Sequence, residues 1–295
     1  MTKTFLALFA ALALSSLAEA KLKVVATTAD LGAIARELAG PDADVEVLAK
    51  PTQDPHFVDA KPSLTLALAG ADLLLLTGMD LEIGWLPVLL TSSRNERIQR
   101  GAKGYLDCSS LITPKEVPTQ KLDRSMGDIH PGGNPHYTKD PRNGLPLAQG
   151  IAAKLAQLAP EKAAGFHARE ARFAQELTAQ LSQWQKALAP LKGTPVVTYH
   201  KSWFYFTEWA GLDEVAYVEP KPGLPPSLGH VAEVLQIIKA RHVPMVLQED
   251  WYETSMSLFL VKNGPTRLVR VPGMPGETQT YAAYIGAMVA AVLKP

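Results

Sequence analysis

The run Leu73 to Thr77 (LLLLT) constrains the fold more than any other stretch of the chain. A strand with one wet face alternates apolar and polar side chains, so a run that is apolar at successive positions must be covered on both faces. Helices on either side of a parallel sheet supply such cover. The flanking sequence has the matching rhythm. Val24 to Thr28 (VVATT) reads as a β-branched strand, Leu31 to Leu38 as a helix, Val45 to Leu48 as a strand and Pro62 to Leu68 as a helix. The second half repeats it. Pro195 to Tyr199, Val215 to Val218, Pro244 to Leu247 and Leu268 to Val271 read as strands, with helices near Trp203 to Trp209, Val231 to Arg241, Ser255 to Val261 and Tyr281 to Leu293.

Between the halves, Leu147 to Leu191 is helical in pattern and broken only at Pro160. Phe166, Phe173, Leu177, Leu181, Trp184 and Leu188 recur along one face. A single helix from Glu161 to Ala189 would be about 43 Å long at 1.5 Å per residue, enough to run the height of two stacked lobes, although periodicity alone equally allows a long surface helix. The expected fold is therefore α/β. Two lobes with central, mostly parallel sheets are joined by one long helix. The expected divisions are 21–145, 146–192 and 193–295. Lys115 to Pro146, rich in Pro, Gly, Asp and Asn, reads as a long ordered loop or lobe junction.

The first twenty residues stand apart. Lys3 precedes an apolar run from Phe5 to Leu17, and Ala18-Glu19-Ala20 is a small-residue cleavage pattern. This is the layout of a signal peptide, too short to span a bilayer, and no cysteine at the cleavage point predicts a lipid anchor. Lysine plus arginine and aspartate plus glutamate number 29 each. The zero net charge gives no overall field for nucleic acid or an anionic membrane, and the chain is expected to act as a monomer in solution. Cys108 is the single cysteine, so no internal disulfide forms and stability must come from packing.

Three of the seven histidines sit at strand or loop ends among turn-forming neighbours. His56 lies in TQDPHF, His136 in GGNPHY, and His200 directly follows the strand PVVTY. In open α/β sheets the carboxyl ends of strands face the ligand crevice, where these imidazoles can meet. Three imidazole nitrogens plus one oxygen suit tetrahedral zinc, while a hydrogen-bonded loop or core histidine is the plainer alternative for each. His167, His230 and His242 read as a solvated helix residue, a helix start and a helix end. His130, six residues before His136, either picks up metal or caps its loop. Glu249 and Asp250 close the strand PMVLQ as candidate carboxylate ligands, or as a strand-end and helix-capping pair. The hydrolase, P-loop and dinucleotide motifs are missing, and a nucleophilic Cys108 has no histidine near it in sequence. A secreted zinc hydrolase would need the same histidines and a base, for which Glu249 or Asp250 would have to serve.

The runs DPH (Asp54 to His56), GDIHPGGNPHY (Gly127 to Tyr137) and VVTYHKSWFYF (Val196 to Phe206), with YVEP from Tyr217 and PGLPPS from Pro222, occur in an order that resembles the zinc and manganese solute-binding proteins of ABC importers, the cluster A-I family. The resemblance spans the mature chain. It implies a periplasmic protein of two α/β lobes bridged by one long rigid helix, which captures a metal in the cleft between the lobes and delivers it to a membrane permease, without catalysis. His56, His136 and His200 fall on the family's first three ligand positions. Histidine rather than glutamate at the third implies Zn2+ rather than manganese, with manganese or ferrous iron as the alternative cargo. Two features depart from the pattern. The segment Thr113 to Gly133 is short and offers only His130, and no carboxylate stands near Val271 and Pro272, where the family's usual aspartate would lie. Glu249 is therefore the expected fourth ligand, followed by Asp250, then water or Glu277.

Overall fold

The computed structural model describes residues 21–119, 127 and 129–294. The expected signal peptide, residues 1–20, lies outside them. Leu22–Ala26 (β1), Ala43–Val47 (β2), Leu73–Leu76 (β3) and Tyr105–Asp107 (β4) form one sheet in the order β2-β1-β3-β4. Pro195–Thr198 (β5), Asp213–Tyr217 (β6), Met245–Glu249 (β7) and Arg267–Val271 (β8) form a second in the order β6-β5-β7-β8. Every pairing is parallel. All four leucines of β3 are buried, as a run apolar at every position demands.

In each sheet the first strand is central, with the second on one side and the third on the other. The connections diverge at the carboxyl ends of β1 and β3 and of β5 and β7, where such sheets form their ligand crevices. His200 follows β5, and Glu249 ends β7.

Helices cover both sheets. Ala29–Ala39 (α1), Pro62–Gly70 (α2) and Leu86–Ser93 (α3) belong to the first half. Gly144–Leu158 (α4) leads to the long helix Ala163–Leu188 (α5), and Phe204–Ala210 (α6), Leu228–Arg241 (α7), Ser255–Asn263 (α8) and Tyr281–Leu293 (α9) follow. With 26 residues, α5 is about 39 Å long. It is a little shorter than its periodicity predicts because Pro160–Lys162 and Ala189–Leu191 close it with single 3₁₀ turns. Its apolar face packs against α1 and α4 on one side and α9 on the other, with the Phe173 ring 6.3 Å from that of Tyr281. One continuous core joins Val24 and Leu75 of the first sheet to Val196 and Leu247 of the second. A core shared in this way holds the lobes in a fixed relation.

Two elements have no counterpart in the sequence pattern. β4 has three residues, too few to show a period, and α3 (LPVLLTSS) carries Pro87 in its first turn and has little amphipathic contrast.

Candidate metal centre

The local chemistry of two tripeptides builds the first half of the site. In Asp54-Pro55-His56, Oδ1 of Asp54 accepts from the His56 backbone N–H at 3.0 Å and lies 2.7 Å from His56 Nδ1. The aspartate thus closes a turn and also fixes the ring of the residue two positions on. The Trp85 indole anchors the turn by donating to the Pro55 carbonyl at 2.9 Å. Asn134-Pro135-His136 repeats the device, with Asn134 Oδ1 accepting from the His136 N–H at 3.0 Å. The Asn134 amide donates across to Glu116 Oε2 at 2.8 Å and to the Lys201 carbonyl at 2.9 Å, which ties this loop to the second lobe. Gly133 opens the turn at φ 109°, and a Cβ there would meet the Lys115 carbonyl at 2.7 Å. Only glycine fits.

His200 leaves the end of β5 in extended conformation, and its Nδ1 lies 2.7 Å from Glu219 Oε2 just past β6. A carboxylate accepts only, so Nδ1 carries the proton and Nε2 presents its lone pair. The Tyr252 ring stacks on this imidazole with centroids 6.0 Å apart, and its hydroxyl reaches Asp54 Oδ2 at 3.4 Å.

The structure brings His56, His136 and His200 together. One ring nitrogen from each lies within 4.8 Å of the others, and the ring centroids are 5.2–5.5 Å apart. His136 Nε2 is buried with no hydrogen-bond partner among the described residues. An orphaned buried nitrogen is costly unless something fills its lone pair, and a cation between three imidazoles does so. The residues present fit a metal ion. Burial pushes the His136 imidazole well below its ordinary range, reinforced by His56 and His200, so it is held in the neutral, ligating form. Burial also drives His130 down to about 3. At His200 burial lowers the pKa, but the hydrogen bond and charge of Glu219, with Glu249 and Asp54 beyond, bring the net shift upward. Burial works to raise Asp54, yet its bonds to His56 hold it below the usual carboxylate range.

The carboxylates expected as fourth ligand lie elsewhere. Among the described residues none of Glu249, Asp250 and Glu277 joins the three histidines. Glu249 is fully buried, with Oε1 bound by Lys139 and Ser202 and Oε2 by the Trp203 indole at 3.0 Å. Burial opposes its charge, but Lys139 and Ser202 hold it below the ordinary carboxylate value. Its oxygens and charge are already committed. Asp250 Oδ1 accepts from the Gly273 N–H at 3.3 Å, and Glu277 is exposed near Arg36. His130 places Nε2 3.3 Å from His56 Nε2. His167 is exposed, His230 bonds the Tyr217 carbonyl at 3.0 Å, and His242 ends α7 in left-handed conformation. Cys108 is buried and its thiol pushed well above the usual range, which makes it inert.

The sequence reading missed Asp54, Asn134 and Glu219 as partners of the histidines. The first two had a signal, an Asx residue two positions before each histidine. Glu219, 19 residues beyond His200, had none in spacing alone.

Residues 24–294 match the family model of ZnuA, the periplasmic zinc-uptake complex component A. The chain belongs to this family. It is 27% identical over 244 residues to a protein of Paracoccus denitrificans named as the high-affinity zinc uptake system protein ZnuA, covering 72% of this chain and 71% of that one. It is 24% identical to the zinc-binding lipoprotein AdcA of Streptococcus pneumoniae, over 79% of this chain but only 46% of the relative, about half its length. The iron-binding protein YfeA of Yersinia pestis is also 24% identical, over 93% of this chain and 86% of that one. As a fold, the chain is similar to a crystal structure of ZnuA with a TM-score of 0.79 at 22% identity, over 93% of this chain and 98% of the other. The architecture expected from the sequence, two α/β lobes with parallel sheets and a long helix, is the one observed, and it matches that of ZnuA.

Proposed function

We propose that this ZnuA-family chain captures one zinc ion between its lobes through His56, His136 and His200 and delivers it to the membrane permease of a metal ABC importer. The convergence of three imidazoles carries this reading. Each arrives from a different segment, two have their outer nitrogen held by a carboxylate, and the third has an orphaned Nε2. Carboxylate–imidazole pairs fix the tautomer and raise ligand basicity. Neutral imidazole suits zinc, whereas manganese favours carboxylate oxygen, so the nitrogen donors argue for zinc over the manganese or iron handled by some relatives. Glu249, the base that a hydrolase on these histidines would need, is instead committed to Lys139 and Ser202. Export through residues 1–20 completes the proposal.

Elemental analysis of the purified mature protein, with zinc titrated against manganese, tests it. One zinc per chain, not displaced by excess manganese, is expected. Preferential retention of manganese would refute the zinc assignment.

A further inference from the structure

We propose that His130 Nε2 is the fourth ligand, so that zinc is held by four imidazoles and no carboxylate; the proposal rests on the three-histidine reading above. His130 Nε2 lies 3.3 Å from His56 Nε2, with ring centroids 5.4 Å apart, although its nitrogens fall outside the 4.8 Å group that the three histidines form. Two nitrogens bound to one tetrahedral zinc at ~2.0–2.1 Å are separated by ~3.3–3.4 Å, so this one gap has the length of an edge of that tetrahedron, and holding zinc requires the His130 loop to bring its ring closer to His136 and His200. His130, His136 and His200 line one cavity, and His56 and His130 line the next.

Trp251, Gly273 and Met274 line the cavity beside His136 together with Asp30, whose carboxylate is already bonded by the Thr138 hydroxyl. The charges also balance. Asp54 and Glu219, bonded to two of the rings, offset the two positive charges of zinc, while Glu249 is offset by Lys139. A fourth neutral donor leaves that balance intact. An all-imidazole shell also disfavours hard cations that want oxygen.

X-ray absorption at the zinc edge of the zinc-loaded protein counts imidazole ligands directly. The expected count is four in the wild type and three in His130→Ala. That variant should keep one zinc per chain and an unchanged metal-free melt while losing about tenfold or more in zinc affinity. A three-imidazole shell in the wild type overturns the proposal, as does a His130→Ala variant with wild-type shell and affinity. In either case His136→Ala separates the two readings. If it weakens zinc, only the role of His130 fails; if it does not, the three-histidine site fails as well.

Discussion

The carboxylate of Glu219 lies 2.7 Å from Nδ1 of His200 and holds that ring nitrogen. Asp54 holds the same relation to His56 at 2.7 Å. The two acids set which nitrogen of each ring is left to bind. Removing such an outer partner costs roughly 10–100-fold in metal affinity. Glu219→Ala and Asp54→Ala should each lose that much in a competitive chelator titration and still bind one zinc. Wild-type affinity in both would mean that the pairs do not orient the ligands.

Glu249 is a structural acid in this account. Its bond to Lys139 joins the segment after His136 to the end of β7, 110 residues away. Breaking a buried ion pair from one side costs ~3–5 kcal/mol, because the other charge stays buried alone. Lys139→Met should lower stability to urea by about that amount. Glu249→Gln should also destabilise the fold while keeping one zinc per chain. Loss of zinc without loss of stability in Glu249→Gln would restore that residue as a ligand.

Glu82 is buried at the carboxyl ends of β1 and β3, where Thr27, Thr77 and Gly78 donate to its carboxylate. Burial raises its pKa from 4.5 to about 7. The folded state therefore holds the proton more tightly than the unfolded state. The stability this group contributes is complete below 4.5 and lost as pH rises through about 7. Between roughly pH 5 and 8, wild type should lose on the order of 3 kcal/mol relative to Glu82→Gln. Parallel stability–pH curves for the two proteins would contradict this.

How much of this was legible in the sequence varies with distance along the chain. The all-apolar run of β3 and the stripe from Phe166 to Leu188 declare a covered parallel sheet and a long packed helix, because those patterns have few other physical solutions. The Asp-Pro-His and Asn-Pro-His spacings were equally local and carried a signal, although the bond from each Asx residue to the histidine two positions on went unread. Pairings over long separations were not. Glu249 at a strand end looks like an available carboxylate until the fold brings Lys139, Ser202 and Trp203 to it. β4 was too short to carry any period.

Metal should stabilise the folded chain, since ligands from both lobes exist as a set only there. At a thousandfold excess over Kd the gain is about 4 kcal/mol, visible as a raised melting temperature. Hydrogen exchange should slow more in the loops around His56 and His136 than in α5. A melting curve unmoved by stoichiometric zinc would rule out a site shared between the lobes.

The central claim is that His56, His136 and His200 hold one zinc ion together. Titrating the three single alanine variants against a chelator of known zinc affinity, beside the wild type, measures it most directly. Each variant should bind zinc more weakly by at least the roughly tenfold lost with an outer partner, with the metal-free fold intact. Wild-type affinity in all three would contradict the account.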